Sequence, residues 1–363
     1  MIDAFADVQT AALAEKTTVV GYSARGFDAD ALLGEIHQLD ANQFVGCVYG
    51  SGFEAQPELL QRIAEIIPLI GNSAETVAAV KNASKFFAVL KQLKIPHPSV
   101  LDVLPVSSVN DGSVVYLKKN SGGSGGTHIT QVGANEISLL DNEYYQQQLS
   151  GRSVSLLFMA DGREVEPVGF NEQWLSPWAK MPFRYGGAVS RIVLDSSVQQ
   201  QLIAAAKKLT MAFDLLGLNS LDAIVQEGTV YVLEVNPRLS ATVDLYGDIE
   251  ENLIDRHVQV CLARGGLNQA KVTDESRVAP SKAHAIVYAT MDTEIAASFA
   301  WPGAWLSWLV DVPNHSGNSA QPIKIPAGDP ICTVIACAEG AEVAKQLACA
   351  RVELVLNLFK GHL

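Results

Sequence analysis

Dense runs of lysine and arginine are missing from this chain. Its 26 basic residues are scattered and outnumbered by 39 acidic ones, for a formal net charge of −13. Nucleic acid and anionic membranes both require a basic surface, so neither is the expected partner. Long apolar runs are missing too: stretches such as SVSLLFMA (153–160) fall far short of the roughly 20 residues a bilayer-spanning helix needs. The N-terminus, MIDAFADVQT, is acidic, with neither a basic n-region nor an apolar h-region, so no signal peptide is expected. Cysteine is sparse. Cys47, Cys261, Cys332, Cys337 and Cys349 are odd in number and form no C-x-x-C. That pattern argues against a disulfide framework or a zinc site, and predicts reduced core thiols in a cytoplasmic protein. There is no internal repeat, no H-E-x-x-H and no convincing Cys–His pair.

What is present is ample apolar material. Of 363 residues, 48% are hydrophobic and 18% charged, enough for about two or three packed domains. The first 80 residues alternate strand and helix signals. TTVVGYS is a β-branched run, ADALLGEIHQL has helical spacing, and QFVGCVYGSGFE reads as a strand entering a glycine-rich turn. QPELLQRIAEIIPLI carries Leu59, Leu60, Ile63, Ile66, Ile67 and Ile70 on one stripe, with Pro57 suited to the first turn. This βαβαβ pattern predicts a parallel α/β unit over residues 1–80. A helix at ASKFFAVLKQL stops at KIPHP, where two prolines forbid continuation. SVQQQLIAAAKKLTMAFDLLG is a long helix with Gly217 expected as its C-terminal cap. A central domain is expected over 81–274, divided near residue 147. From 275 to 363 the texture predicts a small α+β, barrel-like extension. The three tryptophans Trp301, Trp305 and Trp308 are expected to pack against it.

Chemistry concentrates in two places. SLDAIVQ, a turn, and TVYVLEVNPR form a β-hairpin. Side chains alternate along a strand, so Glu234 and Asn236 point the same way. A two-residue turn would put Asp222 opposite Leu233, on the side away from Glu234. A three-residue loop, Gln226-Glu227-Gly228, would pair Val225 with Thr229. Asp222 would then lie opposite Val232, on the face of Glu234, and this loop is the expected one. Asp222, Glu234 and Asn236 would then form an oxygen cluster suited to Mg²⁺, or Mn²⁺, together with phosphate oxygens. Taken alone, the hairpin fits a solvated strand end equally well.

The second place is YLKKNSGGSGGTHI. Lys118 and Lys119 precede Gly122, Gly123, Ser124, Gly125 and Gly126. Glycines allow backbone N–H groups to approach phosphates, and a nearby lysine adds charge. The order fits neither a P-loop nor a dinucleotide fingerprint. A lone glycine loop is more often a flexible hairpin, but with the acidic hairpin downstream the phosphate reading gains ground.

Taken together, the lysine–glycine loop and the Asp…Glu-x-Asn-Pro-Arg hairpin resemble the ATP-grasp superfamily, over about residues 80–265. YGSGFE…PLIGN and GDPICTVIA look most like its branch of ATP-dependent carboligases related to biotin carboxylase, a branch with a tyramine–glutamate ligase. The resemblance implies a fold and a set of roles. The fold is a pre-ATP-grasp α/β unit, a two-part ATP-grasp domain and a C-terminal extension. Lys85 and Lys118 would meet the nucleotide, although Lys119 stands where proline is common, so either adjacent lysine is a candidate. Gly122 to Gly126 would be a mobile flap over the phosphates. Gln146, Gln147, Gln148 and Leu149 would clamp adenine through backbone groups, with Gln147 where glutamate is usual. Asp222, Glu234 and Asn236 would hold Mg²⁺, and Arg238 would steady the transferred phosphate.

Arg184, in KMPFRYGGAVS, is a candidate to hold the acid substrate's carboxylate. His128 is expected to anchor the flap; His97 and His315 look structural. GDPICTVIA lacks the lysine that would carry biotin, so attached biotin is rejected. The expected reaction is ADP-forming ligation of a small-molecule carboxylate to an amine, by way of an acyl phosphate, as in C1-carrier cofactor assembly. A bicarbonate-phosphorylating carboxylase and a non-catalytic ATP binder are the alternatives. A homodimer is the commonest oligomeric expectation.

Overall fold

The computed structural model describes residues 1–23, 26–104, 114–132, 139–247, 252–263, 267, 279–313 and 321–360. His315 and the expected boundary near residue 275 lie outside them.

The N-terminal unit is held by its own core of Val20, Leu32, Leu33, Ile36, Tyr49, Phe53, Leu59, Leu60, Ile63, Ile67, Ala74 and Val77. Helix α1 (Ala29–His37) is started by Asp28, whose carboxylate accepts the Ala31 N–H. Helix α2 (Pro57–Ala64) begins on its proline. The strands beside them are short: Cys47–Val48 pairs in parallel with Leu69–Ile70, and Ile2–Asp3 with Thr18–Val19. Two further helices follow. Ser73 caps α3 (Ala74–Lys81), and Asn82 both ends α3 and caps α4 (Ala83–Gln92) through the Lys85 N–H.

Two antiparallel sheets come next. The smaller contains β1 (Tyr116–Asn120) beside β2 (Glu143–Gln147), flanked by strands 130–131 and 100–101. The larger has eight strands. They are β3 (Arg152–Asp161), β4 (Val165–Leu175), β5 (Tyr185–Ser190), β6 (Leu216–Gln226), β7 (Thr229–Asn236), β8 (Ser281–Tyr288), β9 (Leu309–Val310) and β10 (Pro330–Ala338), in the order β7-β6-β3-β4-β5-β8-β10-β9. One face is covered by α5 (Ser196–Phe213) and α7 (Ala341–Lys360); Leu202, Leu209, Ala344 and Ala348 pack there on Leu156, Phe158, Val232 and Val334. The other face is capped by a 3₁₀ turn, Ala241–Tyr246, and α6 (Leu253–Ala263), through Leu245, Tyr246 and Leu253 on Leu157, Met159 and Leu218.

Three expectations need correction. The C-terminal segment builds no closed barrel among the described residues: β8, β10 and β9 extend the central sheet past β5, and α7 lies on them. Helix α5 ends one turn earlier than expected. Asp214 takes the left-handed cap (φ 53°), while Gly217 belongs to β6, where a Cβ would run into the His257 ring. Only Cys261 and Cys332 are buried; Cys47 is half-buried, and Cys337 and Cys349 are exposed. The tryptophans do pack on the main core, Trp305 against Trp308 with ring centroids 5.1 Å apart. Among the described residues no helix is long and apolar enough to cross a membrane.

Candidate active site

The hairpin turn has two residues, not three. Gln226 pairs with Thr229, and Glu227 (φ 50°) and Gly228 (φ 76°) are both left-handed, as a tight hairpin with this twist requires. In a regular ladder this turn would put Asp222 opposite Leu233. A β-bulge intervenes instead. Ala223 pairs with Val232 and Asp222 with Glu234, so Leu233 is the extra residue. Val230, Val232 and Val235 therefore all enter the helix-covered core, while Glu234 and Asn236 turn to the other face. Asp222 does share the face of Glu234, directly opposite it. The bulge does the work that the longer loop was expected to do.

From this pair a polar row crosses the sheet. Asp222 lies opposite Ser155, Ser155 opposite Asn171, and Asn171 opposite Ser190. Ser155, Asn171 and Ser190 are fully buried. Asn171 Nδ2 donates to Ser155 Oγ, and Tyr246 donates to Asn171 Oδ1 at 2.8 Å. Asp222 accepts from Asn236 Nδ2 at 3.0 Å and from Gln173 Nε2 at 3.2 Å. Burial, and then the charge of Glu234, push the Asp222 carboxyl well up. Burial also acts to raise Glu234, but the ammonium groups of Lys81 and Lys119 prevail and hold it low. The two acids are thus a strained like-charge pair that an added cation would relieve. Among the described residues no three His, Cys, Asp or Glu side chains converge. A cation here would rest on two carboxylates and an amide, a donor set that fits Mg²⁺ or Mn²⁺ and leaves room for phosphate oxygens. The set already attracts a cation: Lys81 Nζ lies 3.0 Å from Glu234 Oε2 and 2.8 Å from Asn236 Oδ1.

The lysine at the acids is therefore Lys81, the last residue of α3. Lys85 is exposed one turn into α4. Of the β1 pair, the pleat turns Lys119 inward: it is buried, donates to Gln146 Oε1 at 3.2 Å, and lines a cleft with Lys81 and Glu234. Lys118 faces the other way, 4.0 Å from Glu143. Gln146 is 2% exposed and its Nε2 finds no partner; His128, which lines the cleft, has an Nδ1 that is also without one. Burial, and then Lys119, lower the His128 pKa to about 4. The hinge N–H groups are partly spent, Gln147 on Ser99 O and Gln148 on Val115 O, each at 2.8 Å.

The glycine loop lies closed over this cleft. Gly122 sits against the Glu54 carbonyl, Gly123 on the His128 ring and Gly126 against the Phe183 carbonyl, at places where a Cβ would collide. Gly125 O accepts the Tyr185 N–H at 2.9 Å. The cleft beneath the loop is partly open and small, about 30 Å³.

Arg238 reaches across to the N-terminal unit. Its Nε donates to Glu54 Oε1 at 2.7 Å and its Nη1 to Leu239 O. Burial acts to raise Glu54, but Arg238 and Lys81 outweigh it and leave the carboxyl low. Beside this pair Asn72, 1% exposed, donates to Asn219 Oδ1 and Pro237 O and accepts the Leu216 N–H. Glu54 and Asn72 were not anticipated from the sequence. Both lie in the stretches YGSGFE and PLIGN that carry the resemblance.

Arg184 is not available as a carboxylate clamp. It is 3% exposed; Nε and Nη2 bond Ser176, Nη1 donates to Gly328 O at 2.7 Å, and the guanidinium stacks 3.6 Å over Tyr288. Its neighbour Tyr185 faces a cavity instead. This cavity of about 140 Å³ is lined by Tyr185, His284, Asp244, Lys282, Asp311 and Thr333, among others. Tyr185 Oη lies 2.7 Å from His284 Nε2. His284 pairs with Ala188, and Ala188 with Gln173, the residue whose amide holds Asp222. The cavity therefore lies on the face of the acids, one residue row away.

Residues 80–242 match the sequence model of the ATP-grasp domain. The carbamoyl phosphate synthase large chain of Thermoanaerobacter sp. (strain X514) is 29% identical over 195 residues, covering 49% of this chain and 18% of the relative. The chain spans about a fifth of the length of such relatives, 18–21% in two of them. An L-amino acid ligase from Bacillus licheniformis superposes with a TM-score of 0.68 at 15% identity, over 97% of this chain and 96% of that one. The biotin carboxylase domain of the Hydrogenobacter thermophilus 2-oxoglutarate carboxylase, in complex with MgADP and bicarbonate, superposes with a TM-score of 0.71 at 12% identity, over 98% and 86%. At these identities the structural likeness is one of fold.

Proposed function

We propose that this protein is an ATP-dependent ligase that joins a small carboxylate to an amine through an acyl phosphate and releases ADP. The observation that carries the reading is the bulge-aligned set of Asp222, Glu234 and Asn236, of which Glu234 lines a cleft shared with Lys81, Lys119 and the flap residues Gly122 and Gly123. The unpartnered His128 Nδ1 in that cleft is what a site made for a polar ligand would leave unmade. ATP is the nucleotide, and Mg²⁺ or Mn²⁺ would be held by Asp222, Glu234 and Asn236. The metal would neutralise charge on the transferring phosphoryl group.

The chain's own residues do the rest. Lys119 and the flap N–H groups face the phosphates, and the flap must lift to admit them, since the cleft beneath it is far smaller than a triphosphate. Leu149 N–H and the hinge carbonyls receive the base, because Gln147 and Gln148 N–H are engaged. The carboxylate oxygen attacks the γ-phosphorus, the bond to the β-phosphate breaks, and ADP departs. The amine nitrogen then attacks the acyl carbon, phosphate leaves, and the nitrogen loses its proton. Arg238, fixed by Glu54, stands beside the donor set to stabilise the charge that gathers there. Closure of the flap keeps water from the acyl phosphate. The cavity under Tyr185 and His284 receives the carboxylic acid, the role that its residue type suggests for Arg184.

The acid and amine are sought among small metabolites, precursors of methanofuran- or methanopterin-type C1 carriers included, in a cytoplasmic, dimeric enzyme. Release of ADP and phosphate is measured across a panel of acids, amines and bicarbonate. Amide product with stoichiometric ADP supports the ligase. A strict bicarbonate requirement replaces it with a carboxylase. Tight ATP binding with no stimulated turnover across the panel replaces it with a binding protein.

A further inference from the structure

Lys81 is an unusual neighbour for a metal site. Its ammonium lies on Glu234 Oε2 and Asn236 Oδ1, two of the three donors assigned above to the metal, at 3.0 and 2.8 Å. It is nearly as buried as the core, with 6% of its side chain exposed. Its position is also fixed. Lys81 ends α3, and the next residue, Asn82, is at once the end cap of α3 and the start cap of α4, so the backbone cannot readily shift. An ammonium and a divalent cation drawn to the same oxygens repel each other, so neither is held well while both are there.

We infer that Lys81 is a resident cation that holds the donor set and must leave it before the metal can enter. This rests on the metal reading proposed above and adds an order of events to it. In the absence of nucleotide, moving Lys81 off Glu234 strands a buried ammonium, so free metal binds weakly. The cleft offers one way out. Lys81 lines it together with Lys119 and the flap residues Gly122 and Gly123, where the phosphates are proposed to lie. A bound triphosphate gives the ammonium a new anionic partner and frees Glu234 and Asn236. Metal and nucleotide binding are then coupled through one side chain, and by linkage each strengthens the other equally.

The test is Mn²⁺ binding to the full chain, followed by calorimetry and by the spin-resonance signal of free Mn²⁺. It is run with and without a non-hydrolysable ATP analogue, on wild type, Lys81→Met and Lys81→Gln. The glutamine amide still donates to Glu234 without carrying charge, so it covers the case in which methionine prevents folding. Both variants should bind free Mn²⁺ about tenfold more tightly than wild type, the release of one partly buried ion pair from competition. They should bind the analogue about tenfold more weakly, and the nucleotide should no longer raise Mn²⁺ affinity. A loss of packing would not increase metal affinity. Folded variants that bind free Mn²⁺ no better than wild type overturn the inference. Asp222→Asn separates the two levels. If it leaves Mn²⁺ binding in the presence of the analogue unchanged, the metal reading itself fails. If it weakens that binding while the Lys81 variants behave as wild type, only the exchange fails.

Discussion

The two faces of the central sheet are made from the same strands and have opposite contents. One is a continuous apolar surface under α5 and α7. The other begins as an apolar surface under α6 and the 241–246 turn, and becomes a buried polar row ending in two carboxylates. The difference lies less in composition than in alternation, and at β7 alternation alone would give the wrong answer. Val230, Val232, Glu234 and Asn236 are each two residues apart, and a regular strand would put all four on one face. One extra residue, Leu233, sends the valines to the core and the acid and amide to the site. A bulge beside a site commonly re-aims a side chain in this way.

The comparison can be broken from either face. The largest expected effect is on the site face: Glu234→Gln should lower ADP release per folded molecule by on the order of 10²–10³, measured by steady-state kinetics. On the opposite face, Leu209→Ala, at a fully buried position, should cost about 2–5 kcal/mol in urea unfolding and leave turnover per folded molecule intact. If Leu209→Ala removes activity at constant folded fraction, the division between the faces is wrong.

Smaller effects sharpen it. Asn72→Ala leaves the Leu216 N–H and Asn219 without their partner and should cost on the order of 1–3 kcal/mol by denaturant titration. Gly126→Ala asks for a Cβ at φ +70° against the Phe183 carbonyl, so the flap cannot seat. We expect kcat to fall by about tenfold, with stability changed by less than about 1 kcal/mol.

The smallest effect is a pH dependence. Burial, and then the charge of Lys282, hold the His284 pKa down to about 4, against an ordinary value of 6.5. Below pH 6.5 the unfolded chain takes up a proton that the folded one refuses. Stability is therefore lost as pH falls from 6.5 towards 4, and is fully present above that window. His284→Gln should flatten this slope in melting curves at pH 7, 6 and 5. An unchanged slope would mean that other groups carry it.

Much of this is legible in the sequence. Periodicity located the helices at 29–37, 57–64, 83–92 and 196–213, and the residue types of LEVNPR marked the acid, the amide and the arginine. The misses share a cause. Lys118 and Lys119 are equal by type, and only the pleat of β1 sends Lys119 into the cleft. Lys85 is the lysine that the resemblance singles out, yet Lys81, four residues earlier and at the junction of two helices, is the one that reaches Glu234. Arg184 is the right type of residue for a carboxylate, but its donors are spent on Ser176 and Gly328. The C-terminal strands look like a separate unit in sequence because the partners that make them part of the central sheet lie about a hundred residues earlier.

By itself, then, the sequence determined which residues are apolar or charged, where helices start and stop, and which side chains are suited to phosphate and metal. These follow from local sterics and side-chain chemistry. Only the tertiary structure decided register: the two-residue turn at Glu227-Gly228, the bulge at Leu233 that offsets it, and the meeting of Lys81 with Glu234 across 153 positions. Such pairings are set by which buried surfaces and hydrogen bonds are satisfied together, and a one-residue shift that costs little locally exchanges every side chain between the two faces.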